Sequence, residues 1–413
     1  MFLIYQLLLT LVILISPIII IVRILKGKED IKRFKEKFCL FSKKRHRGKI
    51  LWFHGSSVGE IMSVIPLLNK YDNVNSFSQI LITSSTLSSS KILQKYKFKK
   101  VTHQYFPIDH IFFSNFFINY WKPNVAIFLE SEIWPSMYRS IKLKNIPLVL
   151  LNARITNKTF KRWDKFRENS AKIFAKIDMA FAQNKETIQF LKKLGTKKIK
   201  YIGNLKYFED KKIKNDEIEG KLKSKFKKYK ICIAASTHEK EELFAAKTHI
   251  LLKKKINKLI TIIIPRHIDR VSEINNQLKS LNLRTVYHSS KINNLDNVDI
   301  YLVDTFGESK KFYKISTTVF LGGSMVEKGG QNPLEPARYG AKILHGPNVH
   351  NFKEVYNFLK SLKISKQIKS SSQFAKEVVF RKRMKNVKKI KKVGDHIFKK
   401  TFKNLNMIIN YES

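Results

Sequence analysis

The run from Val319 to Phe352, VFLGGSMVEKGGQNPLEPARYGAKILHGPNVHNF, narrows the possible folds more than any other stretch of the chain. An apolar strand over Thr318 to Leu321 stops at Gly322-Gly323-Ser324, where missing side chains let backbone N–H groups come close to a ligand. A second pair, Gly329-Gly330, follows. Then Asn332-Pro333-Leu334-Glu335 has the form of a helix start, with Asn as cap, Pro at the first helical position and Glu three residues after the cap. A short strand over Lys342 to Leu344 comes next, so the run reads as an α/β unit. The helix start offers N–H donors and partial positive charge to a phosphate, whereas Glu335 would repel a phosphate and suits a ribose diol. Phosphate near the glycines and sugar near Glu335 describe a nucleotide. An Asn-Pro-x-Glu alone is an ordinary capped helix; the glycine pairs and the second strand are what favour the ligand.

The same grammar recurs along the chain. Lys49 to His54 is an apolar strand that runs into Gly55-Ser56-Ser57-Val58-Gly59-Glu60 and an apolar helix, and Glu60 falls at the turn. Further strands read at Gln79 to Thr83, Val125 to Leu129, Pro147 to Leu151 and Asp178 to Ala182, a spacing that predicts a mainly parallel sheet covered by helices. Val125 to Leu129 ends in Glu130-Ser131-Glu132-Ile133-Trp134-Pro135. After a polar, Lys-rich stretch a second α/β pattern begins. Ile231 to Ala235 leads into Ser236-Thr237-His238-Glu239, a helix-cap signal, and Lys258 to Ile264 leads into Pro265-Arg266-His267. Asp299 to Val303 precedes Asp304-Thr305-Phe306-Gly307-Glu308. A strand-end Arg supplies a fixed fork for phosphate.

Outside these units the chemistry is that of a membrane surface. Phe2 to Val22 carries no charge, and at 1.5 Å per helical residue it spans about 30 Å, the thickness of a bilayer core. It reads as an anchor kinked at Pro17, with an interfacial or partly inserted helix as the alternative, and the flanking Arg23, Lys26 and Lys28 place the rest of the chain in the cytoplasm. Lys26 to Arg47, basic with Phe34, Phe38 and Phe41 interleaved, reads as a helix on an anionic membrane surface or as a solvated basic helix. Phe374 to Ser413 reads as a basic amphipathic helix, which the sequence equally allows to face a membrane. Across 413 residues, 80 basic against 32 acidic side chains give +48, which permits anionic lipid, acidic substrates or nucleic acid, though Lys is scattered through every segment. Cys39 and Cys232 match no disulfide or metal framework and point to a reducing compartment. GxxxxGK[ST], GxGxxG, HExxH and any metal-ligand spacing are missing from the sequence.

The Gly322-to-Phe352 segment strongly resembles the nucleotide-binding segment of the Kdo transferases, membrane-associated enzymes that move 3-deoxy-D-manno-octulosonic acid (Kdo) from CMP-Kdo onto the lipid A precursor. The resemblance extends from His54 to Phe352. HGSSVGE is similar to the family's HAxSVGE, whose glutamate is the catalytic base, which implies Glu60; Gly55 and Ser56 are a mild departure. ESEIWP resembles ExExWP and implies Glu130 in transition-state stabilisation, with Glu132 behind it. Asn152-Ala153-Arg154 resembles NAR, a structural or acceptor-side motif, and Gly203-Asn204-Leu205-Lys206-Tyr207 resembles GNLK(F/Y), which implies Lys206 in stabilising negative charge. Ser236 to Glu242 looks like STHxxEE. For CMP the resemblance implies Pro265 and Arg266, the Phe306, Gly307, Glu308 loop, and Asn332, Pro333, Leu334 and Glu335. Gln331 stands where a His is common in the family, so a titrating role there is lost.

The expectation is therefore an α/β chain of two Rossmann-like domains facing each other across a cleft, the GT-B arrangement, behind an N-terminal membrane anchor. Its boundaries are 1–25 for the anchor, 26–208 for the acceptor domain, 209–229 for a linker, 230–385 for the CMP-Kdo domain and 386–413 for a last helix, which in such transferases crosses back to the first domain. The resemblance implies an inverting transfer at the cytoplasmic face of the inner membrane from CMP-Kdo to lipid IVA, the lipid A precursor. It implies no cofactor and no metal, anionic membrane lipids as surroundings, and no nucleic acid. Two alternatives remain open on the residues alone: a GT-B transferase using a UDP-sugar, and a membrane-tethered nucleic-acid-binding protein suggested by charge.

Overall fold

The computed structural model describes residues 2–209, 220, 224, 226–290, 292 and 294–410. It divides into two compact units, Met1–Asp210 with Gly394–Ser413, and Lys211–Val393. The linker expected over 209–229 lies largely outside the described residues.

Unit 1 is built on seven parallel strands: β1 (Ile50–His54), β2 (Gln79–Ser84), β3 (Val101–Tyr105), β4 (Val125–Leu129), β5 (Leu148–Ala153), β6 (Met179–Ala182) and β7 (Ile199–Tyr201). Their order is β3-β2-β1-β4-β5-β6-β7. The strands β1, β4 and β5 are apolar at nearly every position because helices cover both faces, and every residue of these strands and of β2, which carries Gln79, Thr83 and Ser84 among its apolar residues, is buried. Trp52, Phe117 and Phe128 centre one side of the core. Chain order reverses between β1, which pairs with β2, and β4. In a sheet of this kind ligands gather outside the carboxyl ends of the strands at that reversal.

Unit 2 repeats the plan with β8 (Lys230–Thr237), β9 (Leu259–Pro265), β10 (Thr285–Tyr287), β11 (Ile300–Leu302), β12 (Thr318–Leu321), β13 (Lys342–His345) and β14 (Ser365–Gln367), ordered β10-β11-β9-β8-β12-β13-β14. Its reversal lies between β8 and β12.

Two expectations change. Residues 26–47 form no continuous helix: only a 3-10 turn over Phe34–Phe38 is regular. Its aromatics pack onto unit 1, Phe38 edge-on to Phe113 and Phe41 stacked 4.0 Å from Tyr120. Carboxylates hold the segment down, Glu29 accepting from Arg23 and Lys37, and Glu36 from Arg33. Secondly, the C-terminal stretch is two helices, Ser371–Glu377 and Met384–Asn410. From Gly394 onward the second of these belongs to unit 1, where Phe398 stacks 4.2 Å from Phe208 and Tyr71 donates to Asn406 at 2.8 Å.

Candidate active site

In unit 1 the reversal point carries a cluster of charge. Ser57 caps the helix Val58–Asp72 and forms a capping box with Glu60. Glu60 Oε2 accepts the Ser56 N–H at 2.7 Å, and Oε1 accepts the Ser57 hydroxyl at 2.7 Å. The turn must be tight here: a Cβ on Gly55 would lie 2.7 Å from Leu129 and 3.1 Å from the Glu60 Cβ. Burial pushes the Glu60 carboxyl up to about 7, helped by the charges of Glu132 and Glu130 and opposed by the Ser57 hydrogen bond.

Glu130 leaves the end of β4 with φ +51°, a left-handed conformation that costs a non-glycine residue about 1 kcal/mol or more. Its side chain meets the Lys206 ammonium at 2.5 Å. That ammonium also stands about one van der Waals contact from Gly59, 4.0 Å from where a Cβ would be. Glu60, Glu130 and Lys206, far apart in sequence, are thus brought to one place.

Asn152, also left-handed at φ +54°, locks Lys206 from behind: its Oδ1 accepts the Leu205 N–H at 3.0 Å. Gln183 bonds both the Asn152 carbonyl and, through its own oxygen, the Asn204 amide at 2.6 Å.

Glu132 does not join the cluster as a charge of equal kind. Its Oε2 gathers His54 Nε2 (3.2 Å), Ser56 Oγ (2.5 Å) and Trp134 Nε1 (2.8 Å). Burial pushes this carboxyl up, but those bonds outweigh it and hold Glu132 below the usual range. Glu132 therefore stays ionised and pins the turn that presents Glu60. The positioning parts played by His54, Ser56 and Gln183 escape a reading of motifs, because each acts through a contact between distant loops.

In unit 2 the candidate CMP residues all leave the carboxyl edge of the second sheet: Pro265 and Arg266 from β9, Phe306 to Glu308 after β11, Asn332 to Glu335 after β12. Arg266 is exposed while its N–H is fixed by the Thr237 carbonyl at 2.9 Å. Phe306 is 80 % exposed, and Gly307 turns at φ +89°. Asn332 Oδ1 accepts the Leu334 N–H at 3.1 Å, ahead of a short helix over Leu334–Arg338. Gln331 is held through its backbone, whose carbonyl accepts from Tyr356.

The glycine loop behaves otherwise than a bare amide cradle. Glu241, 1 % exposed, accepts the N–H groups of Gly323 (2.7 Å), Ser324 (3.1 Å), Met325 (2.9 Å) and His238 (2.9 Å). A Cβ on Gly322 would sit 2.3 Å from the Ser236 carbonyl, so the two loops touch backbone to backbone. Those three loop amides are engaged by protein.

Side chains beside the loop supply positive charge instead. His238 and His267 rings lie 5.7 Å apart, and His238 Nε2 is buried with no hydrogen-bond partner. Burial, then the charges of His267, Lys328, Arg266 and Arg270, hold the His238 imidazole below its ordinary value. This convergence of cations on an unpartnered nitrogen fits an anion. The Ser236-to-Glu242 run signals it in sequence, but its helix-cap form conceals both His238 and Glu241.

Two Rossmann-like units, one with a perturbed carboxylate and the other with a cationic strand-end cluster, define a glycosyltransferase of the GT-B class. A family model described as 3-deoxy-D-manno-octulosonic-acid transferase matches residues 32–209. A 3-deoxy-D-manno-octulosonic acid transferase of Rickettsia bellii is 35 % identical over 335 residues, 80 % of this chain and 79 % of that one. Among solved structures, a UDP-N-acetylglucosamine 2-epimerase aligns with TM-score 0.57 at 13 % identity, covering 89 % of this chain and 97 % of its own. The glycosyltransferase of kitacinnamycin aligns with TM-score 0.52 at 8 % identity, covering 88 % and 99 %. The chain belongs to the 3-deoxy-D-manno-octulosonic acid transferase family.

Proposed function

We propose that this Kdo transferase takes its sugar from CMP-Kdo and places it on a hydroxyl of lipid IVA, with inversion at the transferred carbon. The acceptor oxygen attacks the anomeric carbon as the bond to the CMP phosphate breaks, CMP leaves with the electron pair, and Glu60 receives the acceptor proton. The observation that carries this reading is the gathering of Glu60, Glu130 and Lys206 at the carboxyl edge of the first sheet, where burial pushes the Glu60 carboxyl up to about 7, a value suited to a general base.

Lys206 and Glu130 organise the charge that develops during transfer, and the left-handed backbone at Glu130 is the strain that such a site accepts. In unit 2, Arg266, aided by His238, His267 and Lys328, takes anionic groups of the donor. Phe306, Gly307 and Glu308 cover the nucleotide, and Asn332 to Glu335 hold its sugar. The apolar helix Phe2–Leu25 keeps the enzyme at the cytoplasmic face of the inner membrane, where anionic lipids meet its basic surface.

Calorimetric titration of the full chain with CMP and with UDP tests the donor. Preference for CMP, together with transfer from CMP-Kdo to tetraacylated lipid IVA, is expected. Preference for UDP would end the CMP-Kdo assignment.

A further inference from the structure

The N-terminal helix is long and apolar enough to cross a bilayer, yet it remains on unit 1 from end to end. Gln6, Leu9, Ile13, Ser16, Ile20 and Ile24 have reduced exposure and follow one another at three- and four-residue steps, which is a single stripe down the helix. The early end is tied by polar contacts: Gln6 Nε2 donates to Ser136 Oγ at 2.8 Å, Gln6 Oε1 accepts the Ile111 N–H at 2.9 Å, and Tyr5 donates to Asp109 at 2.8 Å. Arg139 also lies 4.8 Å over the Phe2 ring. At the late end Arg23 bonds Glu29 at 2.9 Å, and Glu29 in turn holds Lys37.

These contacts conflict with a spanning orientation. If the helix crossed the membrane, Phe2 to Gln6 would lie about 30 Å from Arg23, beyond the hydrocarbon. Ser136, Asp109 and Ile111 would have to lie there with them, although they belong to the same folded sheet unit as Glu29 and Lys37. Loops with open backbone groups do not enter hydrocarbon.

The opposite side of the helix is apolar and bare, with Ile4, Leu11 and Ile18 each more than half exposed. Beside its early end, Phe2 and Tyr5 line a groove of about 640 Å³ whose lining also includes Leu143, Phe166 and the cations Arg139, Lys142, Lys172 and Lys176, with Lys142 paired to Asp178. Phe112, next to the Ile111 that Gln6 holds, is exposed as well. An apolar stripe edged by cations matches the layering of an anionic leaflet, with acyl chains beneath phosphates.

We propose that the N-terminal helix lies in the plane of one leaflet of an anionic bilayer, carried on unit 1, and does not cross to the other side. The proposal rests on the reading that the enzyme works at the membrane and specifies how it sits there. The leaflet receives the outer face of the helix together with Phe112, Leu143 and Phe166, and its phosphates meet Arg139, Lys172 and Lys176 of the groove.

Nitroxide labels at Ile4→Cys, Leu11→Cys and Ile18→Cys, each in the full chain carrying Cys39→Ser and Cys232→Ala, test this in vesicles of phosphatidylglycerol and phosphatidylethanolamine. The three positions share one face, and retained transfer activity in each labelled variant reports folding. Depth is read from the balance of oxygen and nickel accessibility. In-plane seating predicts shallow depths that agree within about 5 Å, inside the leaflet boundary. A label at position 11 near the bilayer centre, with positions 4 and 18 each about 10 Å shallower as a spanning helix requires, overturns the proposal. Labels that stay in water while the vesicles sediment without protein overturn both the proposal and the membrane reading, whereas the spanning profile leaves that reading intact.

Discussion

Unit 1 and unit 2 put a glutamate in the same topological place, at the turn from the first strand of the sheet into the helix that follows, and use it in opposite ways. Glu60 bonds the backbone and hydroxyl groups of its own turn, keeps part of its surface open, and is pushed up to about 7. Glu241 is sealed under the neighbouring loop and accepts four backbone N–H groups. What separates them is the partner loop. After β4 the chain offers two more carboxylates, which raise Glu60, whereas after β12 it offers glycines whose amides draw Glu241 in. The same position thus yields a carboxyl raised toward neutrality in one unit and a structural bracket in the other.

Exchange of charge for amide should expose this contrast most strongly at Glu60. Glu60→Gln is expected to lower transfer by about 10²- to 10⁴-fold, the usual worth of a general base, in steady-state assays with CMP-Kdo, while CMP affinity stays near wild type. The same variant should melt higher than wild type at pH 8. A carboxyl raised to about 7 makes folding less favourable as pH climbs from 4.5 to 7, so the advantage of Gln is present above 7 and gone below 4.5. Equal melting at both pH values would contradict the perturbed carboxyl.

Glu241→Ala should do the reverse. Four buried amides lose their acceptor, at about 1–3 kcal/mol for each left unpaired, so unit 2 should unfold at markedly lower temperature in scanning calorimetry. Wild-type melting would refute the bracket. Lys206→Met is expected to reduce kcat about 100-fold with little change in KM, since it removes the cation proposed to stabilise negative charge developing during transfer. The smallest effect belongs to Arg266→Ala, an exposed side chain: about tenfold weaker CMP binding by titration, with kcat largely kept.

Much of this architecture is legible in the residues because buried parallel strands are continuous apolar runs. ILWFH, VAIFL and TVFL announce themselves, and the observed strands there match the runs to within a residue or so. The strands that escape reading are β3, β7, β10 and β14, written VTHQY, IKY, TVY and SKQ. They are edge or near-edge strands, short and only partly covered, so solvent permits polar residues and the apolar signal vanishes. The site divides similarly. Glu60, Glu130 and Lys206 stand in motifs, but the Glu132 anchor on His54, Ser56 and Trp134 joins groups up to 78 positions apart, a pairing that only the fold creates. Residues 26–47 mislead for a further reason: their Phe spacing mimics an amphipathic helix while serving to cover the side of unit 1.

The pH dependence of kcat/KM for transfer from CMP-Kdo tests Glu60 as the proton acceptor most directly. Because the base must be unprotonated to act, activity should fall tenfold per pH unit below a midpoint near 7 and level off above it. A rate that stays flat from pH 8 down to pH 5.5 would contradict the account.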